Sequence, residues 1–379
     1  MVDCLLCTGC SACANACPQG CIHMIADENG FQKPHKYGAN CTDCGICERV
    51  CPLTKSIARH DTPQCFAANI EDEEVRKNSS SGGVFSAIAA VVLENGGVVY
   101  GAALTENMQV AHRAAETEME LERLRGSKYV QSELNACFSE IKKHLIAGKN
   151  VLFVGTPCQT AGLLSYLGKP YETLVTADII CHGVPSPKAW EAYLKVREQE
   201  ANAKVVYASF RDKTYGWNQF SMCLKFDNGA EYRKPLTEDP YLRGFLANLF
   251  LNSACSDCRF KGIHRSSDIT IADFWGLSEV LPEYANDKGT SLVLVHSAKG
   301  QRLIAQAKKS LHLTPAQPEQ ALNHNTAAEH SVEPHRNRER FFRRLHAGAS
   351  FDAAVNACLK RSVVRRVCGK IKRMIWRNK

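Results

Sequence analysis

The sequence lacks the features that mark a membrane-spanning or secreted protein. Its longest apolar run, residues 84–93, is too short for the roughly 20 residues that a helix needs to cross a bilayer. Residues 1–10 show neither a basic start nor an apolar core, so we expect no secretory signal. These absences favour a cytoplasmic location, with peripheral contact at the inner membrane surface as an open alternative.

Acidic residues are absent from residues 360–379, where nine Lys and Arg residues lie. The whole chain has a net charge of +8, so the remainder carries about −1. Because that remainder is close to neutral, we expect no nucleic-acid binding. Apolar residues at helical spacing and Trp376 predict a basic amphipathic helix at the end of the chain. Such a helix can lie on an anionic membrane, dock on an acidic partner, or pack on its own domain.

Cysteine, in contrast, is abundant: the 379 residues include 19, and ten of these precede residue 52. Two runs share the spacing C-x2-C-x2-C-x3-C-P, which is typical of bacterial two-cluster ferredoxins. There, three cysteines of a run hold one cluster and the fourth reaches the other. The spacing therefore predicts two 4Fe-4S clusters. Their ligands are a first N-terminal set, Cys7, Cys10, Cys13 and Cys51, and a second N-terminal set, Cys41, Cys44, Cys47 and Cys17.

Zinc and disulfides are the alternatives for these runs. Zinc sites usually combine pairs of ligands at wider separation, and disulfide frameworks belong to short secreted chains. Two further cysteines lie outside the eight-ligand pattern. We expect Cys21, beside Ile22, to be a small buried side chain, and we assign no role to Cys4.

Four more cysteines follow in a region that alternates strands and helices, and we call them the dispersed set. Cys158 and Cys181 each come just after a predicted strand, and Cys255 and Cys258 form a C-x2-C pair. Ligand-binding residues gather beyond the carboxyl ends of strands in open α/β sheets. A third Fe–S cluster, a zinc site and a single reactive Cys158 all remain open, because thiolates bind iron–sulfur and zinc alike.

Two polar loops precede predicted helices. Residues 78–83 are rich in serine and glycine and open an apolar helix over residues 84–93. Free amides at a helix N-terminus can cradle a phosphate; a helix cap with a flexible lead-in is the alternative. The second loop, residues 126–132, carries one cation, Lys128, and one aromatic residue.

The order of these motifs resembles the coenzyme F420 hydrogenase/dehydrogenase beta-subunit family, behind a two-cluster ferredoxin-type domain. The matching stretches are SSSGGVF at 79–85, GSKYVQ at 126–131, GTPCQ at 155–159, CHG at 181–183, FRDK at 210–213, the C-x2-C pair at 255–258 and ADFWG at 272–276. The resemblance implies FAD beside a 4Fe-4S cluster that the dispersed set would ligate. It also implies pyrophosphate contacts at Ser80, Ser81, Gly82 and Gly83, and a flavin contact at Lys128.

The resemblance further implies an iron–sulfur flavoprotein oxidoreductase that moves electrons between ferredoxin-type clusters, FAD and a two-electron substrate or carrier. A ferredoxin or another redox protein would be its partner. A non-catalytic electron-transfer subunit and a reductase of surface-polysaccharide biosynthesis are the alternatives.

The expected fold is α+β or α/β in four parts. These are a ferredoxin-like domain at 1–60, the two parts of a mixed α/β flavin-binding domain at 65–140 and 141–315, and a basic helical tail at 316–379.

Overall fold

The computed structural model describes residues 6–359. Cys4 and the amphipathic helix predicted for the last twenty residues lie outside the described residues. Among the described residues, no helix combines the length and the apolar character that a membrane crossing requires.

The N-terminal module is built from short elements around its cysteines. They are α1 (Ala12–Ala16), β1 (Ile22–Ala26), β2 (Gln32–Lys36), a 3-10 turn (Gly38–Asn40) and α2 (Ile46–Arg49). β1 and β2 form an antiparallel hairpin.

The duplicated cysteine spacing gives a duplicated backbone. Ser11, which follows the second cysteine of the first run, has φ 59° and precedes α1. Gly45, at the equivalent place in the second run, has φ 68° and precedes α2. The left-handed conformation is natural for glycine and uncommon for serine. In both runs the chain therefore reverses after the second cysteine and presents the third from the first turn of a helix.

The larger domain begins with a strand and alternates helices with strands over most of its length. Its elements are β3 (Gln64–Ile70), α3 (Glu73–Asn78), α4 (Val84–Glu94), β4 (Val98–Leu104), β5 (Val110–Ala115), α5 (Glu118–Leu124), α6 (Cys137–Ile146), β6 (Val151–Gly155), α7 (Pro157–Leu167), β7 (Leu174–Ile179), α8 (Pro187–Ala201), β8 (Val205–Asp212), β9 (Ser221–Phe226), β10 (Glu231–Pro235), α9 (Pro240–Leu246), β11 (Ile269–Asp273), α10 (Leu277–Val280), β12 (Ser291–Val295), α11 (Ala298–Ala307), β13 (Leu311–Pro315), α12 (Pro318–Leu322), α13 (Arg338–His346) and α14 (Phe351–Leu359). Three 3-10 turns complete it: Ser253–Asp257, Pro282–Tyr284 and Thr326–Ala328.

Within the described residues, eight strands form one mixed sheet in the order β13-β3-β12-β11-β7-β6-β4-β5. The central strands β11, β7, β6 and β4 run parallel, and the flanking pairs are antiparallel. One face of the sheet is covered by α4 and α11, and the other by α6 and α7. The mixed α/β class that the sequence predicts is confirmed.

A second core lies between a three-stranded antiparallel sheet, β10-β9-β8, and helices α8, α9, α13 and α14. Fully buried aromatic side chains fill it, including Tyr193, Tyr241, Phe341 and Phe351. The helices α13 and α14, which belong to the predicted tail, therefore pack into the body of the protein. Their aromatic residues point inward while most of their arginines lie closer to solvent.

Two elements differ from what the hydrophobic pattern predicts. That pattern predicts a helix over residues 239–251, but the helix ends at Leu246, because Asn248 adopts φ 58° and turns the chain. It also predicts the last strand at residues 291–296, but a further strand, β13, follows and pairs with β3 at the edge of the sheet.

Candidate metal centres and nucleotide site

The first N-terminal set surrounds a cavity. Cys7, Cys10, Cys13 and Cys51 all line it, together with apolar side chains such as Met24. Burial raises the pKa of the Cys13 thiol to about 12, and it also raises the pKa of Cys10. Closely grouped thiols in an apolar shell suit a positively charged iron core, which would hold them as thiolates. Cys47, which the spacing assigns to the second N-terminal set, lines the same cavity, so the division of these cysteines into two sets stays a prediction.

The second N-terminal set lies nearer the surface. Cys44 is exposed, and Cys41, Cys47 and Cys17 are half-buried. Cys21, expected only as a small buried side chain, is buried, and its Sγ lies 3.3 Å from Cys17 Sγ. It also interacts with Cys41. Cys21 thus lies close to Cys17 and Cys41, two predicted ligands of this set that come from different cysteine runs. The cysteine spacing does not predict this.

The dispersed set converges on one cavity. Cys158 and Cys181, just beyond β6 and β7, and Cys255 and Cys258, at the end of a 3-10 turn, all line it. Parallel pairing of β6 with β7 brings the first two ends together. Cys158 and Cys258 are 100 residues apart in the sequence and line the same cavity. The tertiary fold therefore brings these cysteines together.

Hydrogen bonds orient these thiols. Thr156 Oγ1 lies 3.1 Å from Cys158 Sγ, and the amide of Val184 donates to Cys255 Sγ at 3.4 Å. Burial raises the pKa values of Cys158, Cys181 and Cys255 to about 12. As in the first N-terminal set, thiols this buried suit a metal core more than exposed thiol chemistry.

Charged and polar side chains complete the wall of this cavity. Lys261 donates from Nζ to Cys181 O and Ala327 O, and Arg265 lies on the same wall. His182 also lines it, and its Nε2 lies 2.6 Å from Asn248 Oδ1. Burial lowers the pKa of His182, which favours a neutral ring.

Across residues 6–359, no three or more Cys, His, Asp or Glu side chains converge tightly enough to hold a single metal ion. Zinc in a structural site needs four ligand atoms within about 2.0–2.3 Å of one centre. The first N-terminal set and the dispersed set instead each line a cavity.

The N-terminal module packs into the core of the larger domain. Cys10 and Ala12 belong to the same buried cluster as Phe138 and Leu163, on the α6 and α7 face of the sheet. Gln131 bridges the two parts, because its amide accepts from Gln32 N at 2.8 Å and donates to Thr8 O at 3.3 Å. The module is thus an integral part of the structure.

The serine-rich loop lies at the sheet edge where β3 and β11 end and β12 begins. Ser80 Oγ accepts from Ser127 N, Ser81 Oγ donates to Thr290 O, and Gly82 N donates to Ser291 Oγ. A Cβ at Gly82 would lie 2.2 Å from Ala68 O, so only glycine fits. Gly83, with φ 87°, precedes the first turn of α4. The loop therefore has a fixed shape rather than a flexible lead-in.

Lys128 approaches the same region from the second polar loop. Its Nζ donates to the carbonyl oxygens of Arg123 and Arg125. Burial, followed by the nearby charge of Arg125, lowers the pKa of Lys128 to about 7. An anion bound beside it would stabilise the charged form and reverse that shift.

A buried ion pair links two further motif stretches. Arg211, from FRDK, makes two bonds of 2.8 and 3.0 Å to the carboxylate of Asp273, from ADFWG. Arg211 Nη2 also donates to Ser80 O, and its Nε is buried with no partner among the described residues. Trp217 donates to Asp273 and stacks on Trp275 at 4.5 Å. The sequence located both stretches but gave no sign that they pair.

These features suit a dinucleotide. Helix-terminal amides, two serines, a lysine and a buried arginine with an orphan donor are the groups that phosphate binds. They lie at the carboxyl edge of the parallel strands, where open α/β sheets bind nucleotides.

Comparison with known proteins follows the same division of the chain. The 4Fe-4S dicluster domain matches residues 6–54. The N-terminal part of the coenzyme F420 hydrogenase/dehydrogenase beta subunit matches residues 65–138, and its C-terminal part matches residues 148–321.

Individual relatives match parts of the chain. One component of the F420H2 dehydrogenase of Methanosarcina mazei is 26% identical over 166 residues, which cover 41% of this chain and 46% of that protein. A ferredoxin of Streptomyces griseus is 34% identical over 64 residues, 16% of this chain and 56% of that protein. The chain thus spans about half the length of these curated relatives.

Among solved structures, a chain of the F420-reducing NiFe hydrogenase complex from Methanosarcina barkeri aligns with a TM-score of 0.47 at 17% identity. The alignment covers 71% of this chain and 91% of that one. Taken together, the matched domains and the motif stretches establish that this chain belongs to the coenzyme F420 hydrogenase/dehydrogenase beta-subunit family and carries a 4Fe-4S dicluster domain at its N-terminus.

Proposed function

We propose that the protein is a flavin-dependent iron–sulfur oxidoreductase with three 4Fe-4S clusters and one FAD. It exchanges electrons with a ferredoxin-type partner on one side and a two-electron substrate or carrier on the other. The observation that carries the proposal is the convergence of the dispersed cysteines on one cavity beside the first N-terminal set. Disulfide bonds do not account for these twelve cysteines, because all the described cysteines are free.

The chain's own residues would bind and orient these groups. Each cysteine set would hold one cubane through four thiolates. Ser80, Ser81 and the amides before α4 would contact the FAD pyrophosphate, and Lys128 would offset its charge. When bound, FAD supplies a centre that takes up one or two electrons, which lets one-electron carriers serve two-electron chemistry.

One relative belongs to a dehydrogenase of reduced F420. We therefore propose a reduced deazaflavin as one two-electron carrier to test, with NAD(P)H as the other and reduced ferredoxin as the one-electron donor.

Anaerobic purification with iron, sulfide and flavin assays tests the proposal. We expect about twelve irons, four per cubane, and one flavin per chain. We also expect Lys128→Met to lose most of its flavin while keeping its iron, whereas Lys143→Met, at an exposed site on α6, keeps both.

Stoichiometric zinc, or about eight irons with no flavin, would contradict the proposal. Unchanged flavin in Lys128→Met would remove Lys128 from the site and leave the rest of the proposal standing.

A further inference from the structure

We propose that electrons cross between the two domains at a single junction, from the first N-terminal set to the dispersed set, with Thr8 as the wall that the two sites share. The second N-terminal set is then the port for the external partner. This inference rests on the proposed function, since it orders the three metal sites named there.

Thr8 lies at the junction. It lines the cavity of the first N-terminal set and also the cavity of the dispersed set. It directly follows Cys7 in the chain, and it shares the lining of the second cavity with Cys158. The two cavities therefore meet at one residue that lines both.

A second contact, between α7 and Cys10, also brings the two cysteine sets close together. Gly162 lies on α7, one turn after Cys158, and a Cβ there would lie 3.0 Å from both Cβ and Sγ of Cys10. A ligand of the first N-terminal set thus rests on the helix that begins with a ligand of the dispersed set.

The junction is held in one geometry by hydrogen bonds between the module and the larger domain. Gln131 accepts from Gln32 N and donates to Thr8 O, and Asn15 Nδ2 donates to Asn135 O at 2.8 Å. Within the module, Lys33 Nζ donates to Cys7 O at 2.7 Å. Because Gln131 and Asn15 join the module to the larger domain, electron transfer here needs no docking step.

The second N-terminal set is the most exposed of the three. Its Cys44 is exposed and its Cys47 lines the cavity of the first set, whereas Cys10 of the first set is buried against α7. An incoming one-electron donor of the ferredoxin class therefore reaches the second set more readily than the other two. Each electron lost by the donor would be taken up at the second site and would pass through the first and dispersed sites toward the bound flavin. No bond between heavy atoms would form or break along this route.

Low-temperature EPR of the dithionite-reduced, iron-loaded full chain tests the order. Neighbouring reduced clusters split and broaden one another's signals, so removing one cluster reports its neighbours. In Cys255→Ser/Cys258→Ser, which lacks the dispersed site, we expect the first-set signal to lose one of its two couplings. In Cys44→Ser/Cys47→Ser, which lacks the second site, we expect the coupling between the first and dispersed sites to persist.

Thr8→Val keeps the shape of the junction and removes the hydroxyl. We expect it to load about twelve irons and to shift the midpoint potential of the dispersed-site cluster to a more negative value, because a polar hydroxyl on the cavity wall favours the more negatively charged, reduced cluster. Thr62→Val, at an exposed site in the linker, should change neither the iron content nor any potential.

Two outcomes would overturn the inference. One is a dispersed-site cluster that couples to the second set and not to the first. The other is a Thr8→Val protein with full iron and all three potentials unchanged. Absence of iron in the dispersed site of the unaltered protein would instead refute the proposed function, so the two failures are distinguishable.

Discussion

The second N-terminal set and the dispersed set are built in opposite ways. Three cysteines of the second set lie within seven residues, on a short loop and a single helical turn whose surroundings are largely exposed. The dispersed set draws on residues 158–258 and lies at the edge of a packed sheet. Local sequence thus shapes one site and tertiary structure shapes the other.

The same contrast appears in the ion pairs beside each site. Lys36 and Asp43 meet at 2.6 Å near the second N-terminal set, and the Asp43 side chain is 82% exposed. Arg211 and Asp273 meet at 2.8 Å near the serine-rich loop, and the Arg211 side chain is 4% exposed. Water screens the first pair and is excluded from the second. A substitution that breaks the buried pair should therefore lower the free energy of unfolding far more than one that breaks the exposed pair.

The largest effect is expected from Asp273→Ala. This change leaves the Arg211 guanidinium buried without its carboxylate and removes the acceptor of Trp217 Nε1. Removing one partner of a buried pair typically costs about 3–5 kcal/mol. Anaerobic urea denaturation should show a large fall in the unfolding midpoint.

Asp43→Ala is the matched change at the exposed pair, and we expect its urea midpoint to stay close to that of the unaltered protein. Equal losses of stability in the two variants would break the comparison. They would mean that burial does not make the Arg211–Asp273 pair more important for stability than the exposed pair.

This contrast also decides what the sequence could reveal. The C-x2-C-x2-C-x3-C-P spacing predicts that the first three cysteines of each run act together, because a short loop brings near neighbours together. The exchange of the fourth cysteine between runs is predicted from the pattern of two-cluster ferredoxins. Strand ends at Cys158 and Cys181 follow from hydrophobic runs, and their convergence follows from parallel pairing. Thr8 carries no such signal, since its role depends on how two separate units pack.

Other features could not be predicted for the same physical reason. Arg211 and Asp273 lie 62 residues apart, and no local pattern says that one will neutralise the other. In residues 338–359 the arginines predict an exposed basic tail. Phe341 and Phe351 nevertheless anchor both helices in the core of the protein. The ligand assignments and the domain boundaries remain predictions, because metal loading is what would test them.

The three clusters should lose their iron at different rates. Ferricyanide and EDTA should remove iron fastest from the cluster that is most accessible to solvent. Because Cys44 is exposed while all four cysteines of the dispersed set are half-buried, we expect about four of roughly twelve irons to leave in an early phase. Iron content and EPR signals followed over time give the phases.

Cys44→Ser should lack that early phase and otherwise lose iron at the slow rate. A single phase that removes all the iron at once would show that solvent access does not distinguish the sites.

The smallest effect is expected from Lys261→Met, which removes one positive charge from the wall of the dispersed-site cavity and keeps most of the side chain's length. A reduced cluster carries one more negative charge than an oxidised one, and a nearby cation stabilises it. Without Lys261 Nζ, which bonds Cys181 O, the midpoint potential of that cluster should become more negative, as measured by an EPR-monitored redox titration.

The potentials of the two N-terminal clusters should not move in this variant, because both lie beyond Thr8 from the altered charge. Lys195→Met, at an exposed position on α8, controls for the loss of one charge from the whole protein. An equal shift in all three clusters would show that net charge, and not the cation on the cavity wall, sets the potentials. A shift confined to the dispersed site would tie its potential to a side chain that the fold alone places there.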